Sequence, residues 1–421
     1  MKFSLRSTFV KNVATMMAGN ASAQAIAFLA APIVTRLYGP ADFGIMTFIW
    51  SLTGLFSVGA NLGYHEAVIL PASDEKGKNL FLISITSALV ASLCVALFTM
   101  IFSDVIASKS GMENIDVFLW FVPVGIFFVG CNESFISFHT RYKHFRLISI
   151  STIAIALTTA LTKIIPALFV EADALWLNIG NVAGPFIAVV LLFWMGRSLW
   201  NDGLFPFLSI AKMRDVAVEY IKFPLYQLPT LLINSLSQSL PVILFAAYFS
   251  PEVVGFYGLA NKVLRQPIYL IGDSLKKIFL QKSAETEHVQ GNHFNNLKRT
   301  ILALSAIGIV PFVLLTLYGK QIFVVIFGAQ WSDAGVYAQL LSPWLFTMFL
   351  NPPVNQIYLV KQKLGFLFWF NIVTIVLRLS AIIIGYYFFK NPFVTIGLFS
   401  LAGVILNIFF ISNAFLISRN R

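Results

Sequence analysis

The stretch Asn234-Ser235-Leu236-Ser237-Gln238, followed after twelve residues by Pro251-Glu252-Val253-Val254-Gly255, has a counterpart near the N-terminus. There the chain reads Asn20-Ala21-Ser22-Ala23-Gln24, then Pro40-Ala41-Asp42-Phe43-Gly44. The amide positions are offset by 214 residues and the proline and glycine by 211, so one three-residue gap aligns both blocks. In each copy two amides four apart share a helix face inside an apolar run. A turn with proline follows, and a second apolar run opens on glycine. Read as a repeat, the blocks divide the chain into two similar halves. In membrane proteins such repeats mark transporters with a central substrate site.

Working outward, the composition agrees. Of 421 residues 58% are hydrophobic and 11% charged, with mean hydropathy +0.81. A soluble domain averages about 25% charged residues, so this is a polytopic all-α membrane protein. A span needs about 20 apolar residues, and twelve such runs occur, at about 13–36, 43–62, 80–102, 116–139, 148–170, 175–195, 225–247, 253–275, 299–317, 335–359, 365–387 and 393–416. The first is too long for a signal-peptide core, and too polar at Asn20 and Gln24, so it is expected to stay attached. The expected organisation is a six-helix lobe over 1–195, a linker over 196–224, and a second six-helix lobe over 225–421, the lobes related as parallel repeats.

Lys and Arg distribute unevenly between alternate loops, 21 on one side against four on the other: Arg36, Lys109, Lys320 and Lys390. By the positive-inside rule both termini and the linker are expected in the cytoplasm. The same bias accounts for the net charge of +11, so the basic balance reads as topology, not nucleic-acid binding. Within the linker Met213, Val216, Ala217 and Tyr220 recur at i, i+3, i+4, i+7, with Lys212, Asp215, Glu219 and Lys222 on another side. That pattern predicts an amphipathic helix lying at the lipid headgroups. Trp120, Trp176, Trp194, Trp331 and Trp369 fall near span ends, where aromatic belts form. Prolines inside many spans, among them Pro32, Pro185 and Pro311 and the pair Pro352-Pro353, invite kinks.

Cys94 and Cys131 lie inside spans, and the five histidines lack metal-ligand spacing, so neither a disulfide framework, a metal site nor a cofactor is expected. No catalytic motif is present. The charges within spans are Glu133, Lys163, Lys262, Arg265, Asp273 and Arg378. Such groups are costly in hydrocarbon and face the bundle interior; Glu133 and Lys163, on adjacent spans, either pair or act separately. On the eighth run Gly255, Gly258, Lys262, Arg265, Gln266, Tyr269 and Asp273 fall within an arc of about 100°. On the eleventh, Asn371, Thr374 and Arg378 align at i, i+3, i+7. Four internal cations imply an anionic guest, and arginine suits phosphate through its fork of donors.

The segments Ile33-Val34-Thr35-Arg36-Leu37-Tyr38-Gly39-Pro40-Ala41-Asp42-Phe43-Gly44, Glu66 through Pro71, Phe223 through Pro229, and Asn234 through Arg265 resemble the Wzx-type polysaccharide repeat-unit flippases of the multidrug, oligosaccharidyl-lipid, polysaccharide (MOP) superfamily. The resemblance implies a V-shaped pair of six-helix lobes that alternates access and moves undecaprenyl-diphosphate-linked oligosaccharide outward across a bacterial inner membrane. It implies O-antigen or capsule synthesis, with association with the polymerase machinery compatible with it. Related flippases hold the diphosphate with cations on their first and eighth spans. Lys262 and Arg265 match by place and Arg378 adds a third cation, whereas the first span has only Arg36, at its outer end. Asn20, Gln24, Asn234 and Gln238 complete the candidate substrate-binding set, and Glu66, Glu133 and Asp273 are candidates for H+ or Na+ coupling. The alternatives are a multidrug–cation antiporter, which expects a carboxylate in the first span, and a membrane-embedded polysaccharide-processing enzyme, which expects a large outer loop or a His/Asp pair within the spans. Neither feature is present.

Overall fold

A computed structural model describes residues 2–112, 114–197, 210–266, 268 and 294–419, and every regular element among them is helical. The spanning reading rests on ten of these helices, each long and apolar enough to cross a membrane. Two of the twelve expected runs are absent from that set, which covers the described residues. The eighth run is helical over 251–266, and most of its remainder lies outside the described residues. The tenth is divided into Ser332–Phe349 and Asn351–Val360, because Pro352 and Pro353 cannot donate to the preceding turn.

By packing, the chain forms two compact units, Met1–Pro251 and Glu252–Arg421. The first contains α1 (Lys2–Leu37), α2 (Pro40–Ala60), α3 (Asp74–Ser110), α4 (Phe121–Arg141), α5 (Phe145–Ala167), α6 (Ala174–Met195), the linker helix α7 (Ile210–Glu219) and α8 (Leu228–Tyr248). Local chemistry sets their ends. Pro40 opens α2 and Asp42 accepts the Gly39 N–H at 3.2 Å; Asp173 accepts the Leu175 N–H at 2.9 Å and caps α6. Between α1 and α2 the buried Tyr38 hydroxyl donates to the Lys163 carbonyl at 2.6 Å. Burial, with Asp173 and Asp42 nearby, pushes this phenol up to about 12, so it remains a donor throughout the physiological range.

Small residues allow close helix contacts inside this unit. Ser149 of α5 donates to the Thr15 carbonyl of α1 at 2.9 Å, and Ser235 of α8 donates to the Gly54 carbonyl of α2 at 3.0 Å. Gly44 is the tightest case. A Cβ there would overlap the Pro251 carbonyl oxygen and lie 2.7 Å from its carbon. Two members of the repeated motif therefore meet backbone to backbone. Gly44→Ala should lower the thermal unfolding midpoint in detergent, since overpacking against backbone costs about 1–3 kcal/mol; an unchanged midpoint would show that this approach is not tight.

α7 differs from its expected setting. Its stripe of Met213, Val216, Ala217 and Tyr220 is apolar as read, but it covers protein. Val216 is buried, and the others pack with Tyr64 of the α2–α3 connection and with Leu80, Phe81, Phe135 and Phe138 of α3 and α4. Lys212 pairs with Glu75 at 2.6 Å and Lys76 with Glu219 at 2.7 Å, while Tyr64 donates to the Ala217 carbonyl at 3.1 Å. The aromatic ends of α3 and α4 needed a cover, and the linker supplies it. Residues 198–209 of the linker lie outside the described set.

The second unit holds the helix over 251–266 (α9) from its second residue, Glu252, with α10 (Phe294–Phe327), α11 (Ser332–Phe349), α12 (Asn351–Val360), α13 (Leu364–Phe389) and α14 (Pro392–Arg419). α10 is bent at Tyr318, where φ is −120° and ψ 15°. α13 ends on Lys390 in the left-handed region, and Asn391 then caps α14 by accepting from Phe393 N at 2.9 Å and Val394 N at 3.3 Å. Trp331 departs from the aromatic-belt expectation: it is fully buried, edge-on to Phe256 at 6.0 Å. Trp120, Trp194 and Trp369 are exposed, as belt residues are.

Candidate functional site

The charged residues expected within the spans fall into separate settings. Lys163 does not pair with Glu133. Its ammonium donates to Asn181 Oδ1 at 2.6 Å and lies 3.5 Å from Met46 Sδ. Two faces of adjacent helices were in sequence reach, but α5 turns Lys163 toward α6 and α2. Glu133 is exposed on α4, and the charge that acts on it is Glu66. Glu66 in turn accepts from Gln227, in the π-helical turn Phe223–Gln227, a geometry frequent at functional positions. Burial pushes the neighbouring His65 below its ordinary 6.5 while Glu66 acts in the opposite sense.

Asn20 and Gln24 on α1, Asn234 and Gln238 on α8, and Arg36 at the end of α1 are all exposed. The two amide pairs thus point away from their packing faces in both copies of the motif, while Ser235 and Ser239 beside Asn234 and Gln238 are buried toward α2. Asp273 lies outside the described residues.

In the second unit a polar cluster forms around aromatic rings. Arg378 sits 14 residues from the start of α13 and 11 from its end, about 21 and 16 Å at 1.5 Å per residue. With Ile382 and Gly385 it forms the buried face of that helix, opposite exposed Val373, Val376, Leu377 and Ile384. Its guanidinium carbon lies 3.9 Å from the Trp344 ring centroid and 4.1 Å from that of Phe399. Arg265 on α9 is also buried; its guanidinium carbon is 5.7 Å from the same Trp344 ring, and its Nε donates to Asn261 Oδ1 at 2.9 Å. Lys262 does not join it. Although the two lie within one helical arc, Lys262 is exposed and Arg265 is turned in, because Trp344 offers an aromatic surface on the inner side only. On α13 likewise Asn371 is exposed while Arg378 is buried.

Trp344, Phe399 and Asn261 were not among the sequence candidates. One signal was available: Trp344 stands well inside its run, where no aromatic belt forms. Chemically, two guanidiniums on one indole in the middle of a helix bundle suit an anion with several oxygens.

The fold matches known transporters. Over 96% of this chain and 89% of that one it superposes on the lipid II flippase MurJ in an inward closed conformation, with a TM-score of 0.73 at 13% identity. It also superposes on an outward-facing multidrug resistance MATE family transporter of the MOP superfamily, with a TM-score of 0.54 at 15% identity over 97% and 94% of the two chains. In sequence it is 20% identical to the lipopolysaccharide biosynthesis protein WzxC of Escherichia coli (strain K12), over 84% of this chain and 70% of that protein. The two structural neighbours are a flippase and a transporter by name. A family described as polysaccharide biosynthesis protein matches residues 33–335, and the chain belongs to that family.

Proposed function

We propose that this protein is a flippase that moves undecaprenyl-diphosphate-linked oligosaccharide repeat units from the cytoplasmic to the periplasmic leaflet of a bacterial inner membrane. Family membership, the MurJ-like fold and the ten spanning helices support the class of transporter. The observation that carries the anionic lipid is the buried pair Arg265 and Arg378 on Trp344, with Arg378 in the middle of its helix. Buried cations are retained in hydrocarbon at a cost of several kcal/mol, and such residues line substrate pathways.

The proposal places both termini and the linker in the cytoplasm, on the strength of the lysine and arginine bias. It takes the two six-helix lobes, joined through 196–224, as the halves that alternate access, with Lys262 and the exposed amides Asn20, Gln24, Asn234 and Gln238 meeting the cargo. Glu66, Glu133 and Asp273 are the candidates for H+ or Na+ coupling. The test is complementation. Expressed in a strain lacking its own flippase but making the matching lipid-linked repeat unit, the chain should restore surface polysaccharide. Unrestored surface polysaccharide, with the protein present in the membrane and lipid-linked cargo accumulating inside, would overturn the reading.

A further inference from the structure

We propose that Trp344 is a positioning residue for the two arginines, and that it makes this unit read a lipid diphosphate in preference to a lipid monophosphate. The inference rests on the flippase reading and adds to it how the charge is presented. Trp344 is 2% exposed, five residues before the end of α11. Its ring carries Arg378 at 3.9 Å and Arg265 at 5.7 Å. Phe399 stands edge-on to that ring at 5.3 Å and gives Arg378 a second aromatic contact at 4.1 Å.

A guanidinium has all its donors in one plane. Stacking on a ring face fixes that plane, and so fixes the direction in which the donors point. Arg378 shows what this leaves over. Its Nε–H is buried without an acceptor, and so is the Thr374 hydroxyl one turn earlier on the same face of α13. Buried polar groups are ordinarily paired, and a phosphoryl group has oxygens to meet both. Arg265 adds a second positive charge on the same indole, and the two cations repel each other. One phosphoryl group answers the orphaned donors of α13, and a second, linked to it, answers Arg265. A monophosphate serves one position only.

The ring itself is held. A Cβ on Gly403 of α14 would overlap Trp344 Cδ1 and lie 2.7 Å from both Cγ and Nε1. The indole is therefore seated against the α14 backbone, and any side chain at 403 displaces it while leaving every arginine and aromatic residue in place.

That gives two independent ways to disturb the ring. The purified full-length chain in lipid nanodiscs would be tested for binding undecaprenyl diphosphate and undecaprenyl monophosphate, with unfolding midpoints recorded alongside. The unaltered chain should prefer the diphosphate by at least about tenfold. In Trp344→Leu and Gly403→Ala that preference should largely disappear, and Trp344→Phe, which keeps an aromatic face, should recover much of it. A purely structural role would move the midpoints and leave the ratio alone. If Trp344→Leu and Gly403→Ala keep the full ratio, Trp344 does not position the arginines, although the flippase reading stands. If the unaltered chain binds neither lipid, the flippase reading itself fails and this inference with it.

Discussion

Arg141→Ala should lower the stability of the first unit by about 3 kcal/mol, the magnitude for losing charge-assisted hydrogen bonds to backbone carbonyls, and Arg141→Lys should recover only a fraction. The guanidinium stands at the end of α4 with its side chain 9% exposed. Nη1 donates to the Val68 carbonyl at 3.1 Å and the Pro71 carbonyl at 2.7 Å. Nη2 donates to the Ser73 carbonyl at 3.1 Å and to Asp74 Oδ1 at 3.0 Å. One side chain thus closes the loop between α2 and α3 on three carbonyls, of which the Ser73 carbonyl also accepts the Gly77 N–H in the first turn of α3 at 3.2 Å. Hydrogen bonds to a charged donor contribute about 1.5–3 kcal/mol each, though not additively. An ammonium has three donors and no planar fork, so it cannot reach all three carbonyls. The same loop carries Tyr64, Ala67 and Val68, on which the linker helix packs. Loss of Arg141 should therefore also release α7, seen as faster proteolytic cleavage within 210–219. By contrast the ion pairs Lys76–Glu219 and Lys212–Glu75 are solvent-exposed and screened, so removing either should change the unfolding midpoint little. An Arg141→Ala variant with the parental midpoint in detergent would sink the argument.

What could be read in the sequence followed from periodicity and hydropathy, and what could not depended on which neighbour a helix met. The apolar runs and their ends were legible because a span must satisfy its own backbone. The stripe Met213, Val216, Ala217, Tyr220 was legible as a helix face, but headgroups and a protein surface make the same demand on such a face. Only the aromatic ends of α3 and α4 decide between them. Arg265 and Arg378 stood out because cations inside spans are rare. That Lys262 parts from Arg265 did not, since a 100° arc spans both an inward and an outward direction once a ring waits on one side. Trp344 was hidden for a related reason. Its place inside the run sets it apart from belt tryptophans, but an aromatic among apolar residues does not show what it meets, and its role exists only where α9, α11, α13 and α14 converge. Lys163 shows the same limit: adjacency of spans allowed Glu133 as a partner, but the rotation of α5 delivers Asn181.

The ordering of the cations by burial leads to the remaining expectation. Export of surface polysaccharide should fall by about ten- to a hundredfold in Arg378→Ala and in Arg265→Ala, the range for losing a desolvated charged contact of about 1.5–3 kcal/mol. Lys262→Ala should cost less, because Lys262 does not share the Trp344 ring that holds the two arginines. Arg378→Lys separates charge from shape. The ammonium keeps the positive charge but has no delocalised plane to set between the near-perpendicular rings of Trp344 and Phe399, which hold the guanidinium at 3.9 and 4.1 Å, and it offers no Nε–H. If charge alone attracts the lipid, Arg378→Lys exports as well as the parent; if the stacked fork matters, it behaves nearly as poorly as alanine. We expect the second result. The measurement is surface polysaccharide in a strain lacking its own flippase, normalised to protein in the membrane. Because both arginines lie against one ring, their effects should also be coupled: the double alanine variant should lose less than the product of the two single losses. Independent, multiplicative losses would mean that the arginines meet different parts of the cargo, and parental export by the double variant would place the anion site elsewhere in the protein.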